Sequence, residues 1–423
     1  MKPNRREVRG ARREVRDARY RAFFDPSFIL HPSSFSGAPS FVLLCVLSLF
    51  CVSCHSSSTD RYGHLLTAGV QRTTLSNGLT LLTKEVPGAP VTSVWIYYRV
   101  GSRDDPEGEK GMAHLVEHMT FKGTRRFGPG QLHEILAEYG ADANAGTSRD
   151  YTDYHETLPN RAVPIALKME ADRMRNCLMD PVQLEREKGV VLSELETEAE
   201  DPRRQLEKAV HDTAFILHPY RFPVIGFPDQ IRSITRRALY AFYRAYYVPN
   251  NAVLVVVGDF SARELRRQAQ EDFAKIPSGR VPPRPAVVEP PQGHAKRVVI
   301  EAPTALPQVE IAYHTPSVAE RDHIVIGVID YLLASGPSSR LVNDLVDRGV
   351  ILQAAAYERG FADPGLTEIM ATIPAHQSAA AAEAAIDHET DRLCGYRVTK
   401  QELAKAIHQD IADFVFRDES VTG

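Results

Sequence analysis

Residues 114–118 read His-Leu-Val-Glu-His, and this stretch decides how the rest of the sequence is interpreted. Apolar side chains recur around it at the spacing of a helix, at Met112, Leu115, Val116 and Met119. We therefore predict a helix over residues 109–120. Two histidines four residues apart lie on one face of a helix, where both imidazoles can reach the same zinc ion.

Glu117 lies between the two histidines in this HxxEH order, the inverse of the commoner HExxH. Two imidazoles and one carboxylate leave the fourth position of a zinc ion open for water, and zinc lowers the pKa of that water to about 7. A neighbouring carboxylate is then placed to accept the proton. Glu117 is the candidate catalytic base, and one Zn²⁺ per chain is the expected cofactor.

A third ligand must come from another segment, and Glu187 and Glu194 are the candidates. Asp180-Pro181 is typical of a helix start, so we predict a helix from there to about Glu200. Seven residues make almost two helical turns, which puts both glutamates on one face. From the residues alone, either one can bind zinc while the other orients the site.

These segments resemble the pitrilysin/insulinase family of zinc metallopeptidases, in its shorter bacterial and mitochondrial-processing-peptidase-like branch. The matching stretches are RVGSRDDPEGEKGMAHLVEHMTFKGT at 99–124, ADANAGTSRDYTDYHETLP at 141–159, EREKGVVLSELE at 185–196 and YYVPNNAVLVVVGDF at 246–260. The resemblance implies that His114, His118 and Glu194 bind zinc. It also implies that Glu117 is the base and that Glu187 supports the site.

The family resemblance extends to a strand that binds the peptide substrate, here Asn144, Ala145, Gly146 and Thr147. An exposed edge strand can pair with an extended peptide and recognise its backbone. The alternative is an ordinary edge strand. Four other histidines lack ligand spacing and are interpreted as structural or surface residues: His133, His155, His211 and His218.

The fold class that we expect is α+β, with two related domains that each pack a mostly antiparallel sheet with helices. Asn77-Gly78 between apolar runs predicts a β-hairpin near the start of the first domain. We place the catalytic zinc domain at 70–277 and a proline-rich linker at 278–292. The related, non-catalytic second domain is placed at 293–423 and is expected to lack its end.

The second domain is predicted to open with strands at 297–301 and 308–313 and to continue with a helix at 322–334. Active single-chain relatives carry an arginine and a tyrosine here that grip the substrate. This sequence has Asp347 at the arginine position, and no tyrosine lies between Asp347 and Tyr357. The resemblance therefore implies a heterodimer with a zinc-less sister subunit. Alternatively, Arg348 and Tyr357 serve from a shifted register, with Arg340 as another possible substitute for the arginine, or the chain is a fragment.

The N-terminal segment, residues 1–69, is rich in arginine and contains a short apolar run at 41–53. This run is shorter than a membrane-spanning helix and is typical of a signal peptide. Cys54 follows it directly, as in a lipoprotein cleavage site. We expect an exported bacterial cell-envelope protein, periplasmic or anchored to the membrane through lipidated Cys54. The alternatives are a plain cleaved signal and an uncleaved anchor.

Composition supports a globular protein, since 43% of the residues are hydrophobic and 25% are charged. The formal net charge of -4 gives no reason to expect a nucleic-acid partner. We predict a zinc-dependent metalloendopeptidase that hydrolyses unfolded peptides or small proteins. The alternatives are a non-catalytic scaffold or processing-complex subunit of the same family, and a zinc hydrolase with a non-peptide substrate.

Overall fold

A computed structural model describes residues 68–284, 286–395 and 398–417 of the chain. The apolar run at 41–53 and Cys54 lie outside the described residues, so the signal and its lipidation stay predictions. Within the described part, no helix has both the length and the apolar character needed to cross a membrane.

The described residues form two compact units, and the break lies between Ala302 and Pro303. The first unit contains a six-stranded sheet with the order β1-β2-β6-β3-β5-β4. Its strands are β1 (Val70–Thr74), β2 (Thr80–Glu85), β3 (Val91–Tyr98), β4 (Asp142–Thr147), β5 (Thr152–Pro159) and β6 (Ala252–Gly258). All neighbouring strands are antiparallel except β2 and β6. The hairpin predicted at Asn77-Gly78 is confirmed, because it joins β1 to β2.

In the described part of the first unit, eight α-helices accompany this sheet. They are α1 (Met112–Met119), α2 (Gln131–Glu138), α3 (Val163–Asn176), α4 (Pro181–Glu200), α5 (Pro202–Ala214), α6 (Pro228–Ser233), α7 (Arg236–Tyr246) and α8 (Ala262–Phe273). Strand β6 lies in the middle of the sheet and every one of its residues is buried, as its apolar run Ala-Val-Leu-Val-Val-Val predicts. The core therefore lies between the sheet and the apolar faces of these helices.

The second unit repeats part of this arrangement. Its elements follow the order β7 (Gln308–Thr315), α9 (Arg321–Leu333), a π-helical turn (Val342–Val346), β8 (Gln353–Glu358), β9 (Gly365–Thr372), α10 (Ala379–Gly395) and α11 (Lys400–Arg417). The sheet order β7-β9-β8 matches the order β3-β5-β4 of the first unit, and in both cases two helical segments precede the hairpin. The expected α+β fold of two related domains is confirmed.

The prediction of a strand at 297–301 is wrong, because this segment has no regular secondary structure. It also groups with the first unit and not with the second. Its apolar residues suggested a strand, but Val299 is 77% exposed. The ammonium group of Lys296 donates to the carbonyl oxygen of Thr213 at 2.6 Å, which holds the chain beside the end of α5. The segment is thus held by a side-chain hydrogen bond, and it pairs with no strand of the described sheets.

The described residues of the proline-rich segment 278–292, which we predicted to be a linker, have no regular secondary structure and group with the first unit, to which they are fastened at several points. The carboxylate of Glu289 accepts hydrogen bonds from three consecutive backbone N–H groups, those of Ile216, Leu217 and His218, at 2.6, 2.9 and 2.8 Å. Arg284 donates to the carbonyl oxygen of Asp150 at 2.6 Å. These contacts offset the entropy that an extended segment loses when it is ordered.

Helix α1 begins at a buried junction. The carboxylate of Asp105 accepts hydrogen bonds from the N–H groups of Gly111 and Ala113, each at 2.8 Å, and so caps the helix from six residues upstream. Gly111 has a φ of 93°, and a side chain there would collide with Ile231 and with the backbone at Ile225. Only glycine fits this position, which fixes where the helix starts.

Replacing Asp105 with alanine is expected to lower the free energy of unfolding of the first unit by about 2–4 kcal/mol, because two buried N–H groups lose their acceptor. Asp180→Ala is the matched control. Asp180 caps α4 through the N–H groups of Val182 and Gln183, closer to solvent, so its loss should cost only about 1 kcal/mol.

Urea denaturation followed by the fluorescence of Trp95, the single tryptophan, reports on the first unit because Trp95 lies in β3. An Asp105→Ala variant that unfolds at the same urea concentration as Asp180→Ala would contradict the assignment of Asp105 as a buried cap.

Candidate metal centre and active site

Two helices, α1 and α4, bring the predicted site residues together. Helix α1 buries Met112, Leu115, Val116 and Met119 in the core, as its periodicity predicts, and the side chains of His114 and His118 lie on its partly exposed face. Helix α4 packs across α1 and contributes Glu187 and Glu194. The segments that are distant in sequence thus meet at one face of the first unit.

Among the described residues, His114, His118 and Glu194 form a group whose ligand atoms all lie within 4.8 Å of one another. Oε2 of Glu194 is 3.6 Å from Nε2 of His118 and 3.9 Å from Nε2 of His114. Zinc bonds of about 2.0–2.1 Å in tetrahedral geometry separate ligand atoms by roughly 3.3–3.5 Å. The three side chains therefore fit a zinc ion after a small inward movement, and Glu194, 43% exposed, leaves the centre open to solvent.

Glu187 lies behind this group. Its Oε1 is 3.0 Å from Nδ1 of His118, and its Oε2 is 2.8 Å from the ammonium group of Lys122. A hydrogen bond to Nδ1 leaves Nε2 of His118 available toward Glu194. Of the two glutamates between which the residues alone left the choice open, Glu194 lies with the Nε2 atoms of the two histidines, whereas Glu187 contacts Nδ1 of His118. Sequence reasoning missed Lys122, although its position four residues after His118 was a signal.

The charges around the two histidines favour a bound cation. Burial lowers the pKa of His114 to about 3, so its imidazole is neutral and able to bind a metal. Burial also acts to lower the pKa of His118, but the hydrogen bond with Glu187 and the charges of Glu117 and Glu194 raise it above its usual value. The carboxylates that stabilise a proton on His118 would equally stabilise a divalent cation.

Glu117 projects beside the group, and its side chain is largely buried. Its Oε2 accepts a hydrogen bond from the hydroxyl of Thr147 at 2.7 Å. Burial raises the pKa of Glu117, and the hydrogen bond from Thr147 opposes that rise. A carboxylate whose pKa lies above its usual value is a stronger base, as proton transfer near neutral pH requires.

Asn144, Ala145, Gly146 and Thr147 all lie in β4, which is an edge strand because β5 is its one partner among the described strands. The N–H of Ser148 donates to the carbonyl oxygen of Tyr151, which sets the alternation of the β4–β5 ladder. By that alternation, the N–H groups of Ala145 and Thr147 point toward the open edge. Oδ1 of Asn144 accepts a hydrogen bond from the N–H of Ala145 at 2.9 Å.

The four other histidines lie outside the group of ligands. Rings of His133 and Phe121 stack at 4.8 Å, and His155 bonds with Asp153 and stacks on Trp95. His211 and His218 are buried and hydrogen bond with the backbone of Tyr220. These contacts agree with the structural roles expected for them.

In the second unit, the candidate replacements for the missing substrate-gripping residues have partners of their own. Arg340 forms a two-pronged ion pair with Glu402, at 2.7 and 3.2 Å. Arg348 pairs with Asp344 at 3.0 Å, and the hydroxyl of Tyr357 contacts Sδ of Met370 at 3.0 Å. Asp347, at the expected arginine position, is exposed.

A duplicated α+β fold that carries two histidines and a glutamate around one point defines a metallopeptidase-like class of protein. The sequence matches the family described as Insulinase (Peptidase family M16) over residues 80–226, and the Peptidase M16 inactive domain over residues 233–409. The chain belongs to peptidase family M16, the pitrilysin/insulinase family.

Similar proteins come from bacteria and plants. The zinc protease PqqE of Helicobacter pylori is 28% identical over 82% of this chain and 80% of the relative. A probable mitochondrial-processing peptidase subunit beta of Arabidopsis thaliana is also 28% identical, over 82% of this chain and 67% of the relative. The crystal structure of a protease from Helicobacter pylori superimposes with a TM-score of 0.77 at 27% identity, covering 84% of this chain and 89% of the other.

Membership of this family supports a role as a peptidase or as a processing subunit, and the zinc proteases among the relatives imply zinc as the metal. The first match includes both helices that carry the candidate ligands, since it extends from β2 to beyond α5. The second match covers the last helices of the first unit together with most of the second unit.

Proposed function

We propose that this protein is a zinc-dependent metalloendopeptidase that cleaves unfolded peptides or small proteins. The observation that carries the proposal is the meeting of four groups at one point: the His114–His118–Glu194 ligand group, and beside it the buried carboxylate of Glu117. A scaffold subunit would need neither the ligand group nor a basic carboxylate next to it.

His114, His118 and Glu194 would hold one zinc ion, and Glu187 would orient His118 through Nδ1. When bound, zinc polarises the carbonyl group of the scissile peptide bond and lowers the pKa of water. Glu117 would accept the proton of the attacking water and transfer it to the nitrogen of the leaving amine. Its raised pKa supports both transfers near neutral pH.

The peptide would bind as an added strand along β4. The outward N–H groups of Ala145 and Thr147 are donors for the backbone carbonyls of an extended chain, so recognition depends more on backbone than on sequence. Because Oδ1 of Asn144 accepts from the N–H of Ala145, this side chain would have to turn away as the peptide pairs. A folded substrate could not offer an extended backbone, which is why unfolded chains are expected.

Changing Glu117 to glutamine should lower kcat at least about 100-fold while zinc stays bound, because a base is lost but a ligand is not. His114→Ala, His118→Ala and Glu194→Gln should lose zinc together with activity. Glu187→Gln should weaken zinc binding by roughly 10–100-fold. The measurements are hydrolysis of a quenched fluorescent peptide and zinc content by mass spectrometry.

Glu185→Gln is the matched control, because Glu185 lies on the same helix as Glu194 but pairs with Lys188. It should leave both readouts unchanged. Retention of a tenth or more of the wild-type rate by Glu117→Gln would show that the mechanism is different. A wild-type protein that binds zinc but hydrolyses no peptide would favour the scaffold alternative.

We further propose that the working enzyme is a heterodimer with a zinc-less sister subunit. Two observations on the second unit support this. The position at which the family carries its substrate-gripping arginine holds the exposed Asp347, and the nearby Arg340 is paired with Glu402. A peptide held only by an edge strand lacks the second clamp that orients it for reaction. One relative is itself named as a subunit of a processing peptidase.

The purified chain, loaded with zinc, is therefore expected to hydrolyse peptides slowly, and a co-expressed sister subunit should raise kcat/KM by about 100-fold or more. Arg348→Ala and Tyr357→Phe serve as controls and should have no effect in the lone chain. Full activity of the lone monomer would refute the heterodimer. If the lone monomer is fully active and this activity is lost in Arg348→Ala and Tyr357→Phe, then Arg348 and Tyr357 supply the clamp from a shifted register.

Export to the cell envelope is proposed from the sequence of the N-terminal segment. If Cys54 is lipidated, the mature protein should fractionate with membranes, and Cys54→Ser should move it to the soluble fraction or leave it unprocessed. Mature wild-type protein in the soluble fraction would contradict the lipid anchor, and mature protein in the cytoplasm would contradict export.

A further inference from the structure

Thr147 connects two parts of the site through different atoms. Its side chain reaches inward, where the hydroxyl donates to Oε2 of Glu117 at 2.7 Å. Its backbone lies in the open edge of the sheet, where the register of β4 and β5 turns its N–H outward. The same residue thus faces the carboxylate of the candidate base and the open edge at which a peptide would pair.

The hydrogen of the Thr147 hydroxyl has two acceptors within reach. Oγ1 of Thr152 is 3.4 Å away, whereas Oε2 of Glu117 is 2.7 Å away. Thr152 in turn donates its own hydrogen to the carbonyl oxygen of Val100 at 2.9 Å. A short bond to a carboxylate is stronger than a long one to a neutral hydroxyl, so the hydrogen of Thr147 belongs to Glu117.

Among the described residues, Thr147 provides the one hydrogen bond that holds the carboxylate of Glu117. Glu117 lies on α1, whose apolar face is fixed in the core, but the carboxylate extends toward the ligand group through three rotatable bonds. With Oε2 occupied by Thr147, the second oxygen is the one that remains to accept a proton. A β-branched threonine at the end of a strand has few rotamers of its own, and it is therefore a rigid donor.

We propose that Thr147 is a positioning residue, which holds the carboxylate of Glu117 beside the peptide that pairs with its own backbone. The inference rests on the proposed peptidase function and adds a residue to its machinery. One residue then sets both the pairing of the peptide along β4 and the placement of the base. A peptide that pairs with the backbone of Thr147 is thereby placed beside the carboxylate of Glu117.

The test compares Thr147→Val, which keeps the shape and the backbone but removes the donor, with Thr147→Ser, which keeps the donor. Thr147→Val should lower kcat by about 10–100-fold, because a small misplacement of a reacting group has effects of that size. KM and zinc content should stay the same, since the edge strand and the ligands are intact. Thr147→Ser should restore most of the rate.

Thr152→Val is the matched control, because Thr152 lies directly opposite Thr147 but donates to Val100. It should leave kcat near the wild-type value. A similar loss in both variants would mean that the edge of the sheet was disturbed, and it would refute a specific role. An unchanged kcat in Thr147→Val, or a change in KM alone, would refute it as well.

Crystal structures of the zinc-loaded variants give a readout that does not depend on activity. The carboxylate of Glu117 should keep its position in Thr147→Ser and leave it in Thr147→Val. If Glu117 is displaced while the wild-type protein is inactive on peptides, the peptidase proposal fails and the positioning inference stands. If Glu117 does not move in Thr147→Val, the positioning inference fails whatever the activity.

Discussion

The hydrogen bond between Nδ1 of His118 and Glu187 fixes the relation between the two helices of the site, at a heavy-atom distance of 3.0 Å. Because it joins α1 to α4 at a single register, it also influences which carboxylate faces Nε2 of His118 almost two turns further along α4. Glu194 takes that place at 3.6 Å. A slip of either helix by one residue would separate all of these groups, so the packing of α1 and its buried start at Asp105 serve the same geometry.

Several carboxylates close to two half-buried imidazoles would repel one another and lose hydration without compensation. The structure supplies part of that compensation through the ammonium group of Lys122 and the hydroxyl of Thr147. The rest of the negative charge is what gives the group its affinity for a cation. Burial of the carboxylate is the main reason why the pKa of Glu117 is raised, and the negative charges of Asp153 and Glu194 add to this rise.

The second unit shows that the strand order alone does not make such a site. Strands β7, β9 and β8 repeat the order of β3, β5 and β4, and α9 follows β7 as α1 follows β3. Helix α9 carries a single histidine, His323, whose Nδ1 lies 2.7 Å from the buried carboxylate of Glu358. That carboxylate lies on β8, the counterpart of the edge strand β4. The repeated framework therefore carries an internal contact between a histidine and a glutamate where the first unit carries the ligand group, and function lies in the side chains grafted onto the fold.

The sequence by itself determined much of the first unit, because its signals are local. The Asn-Gly hairpin, the helix beginning at Asp180-Pro181 and the buried strand 252–258 all follow from turn chemistry, capping and apolar pattern, and the structure agrees with each. That the side chains of His114 and His118 lie on one face of a helix also followed from their spacing of four residues. Tertiary structure decided the rest, because it depends on contacts between distant segments: Glu194 rather than Glu187 faces the histidines, and Thr147 contacts Glu117. The segment 297–301 makes the same point, since apolar composition cannot tell whether a neighbouring strand is available to pair with it.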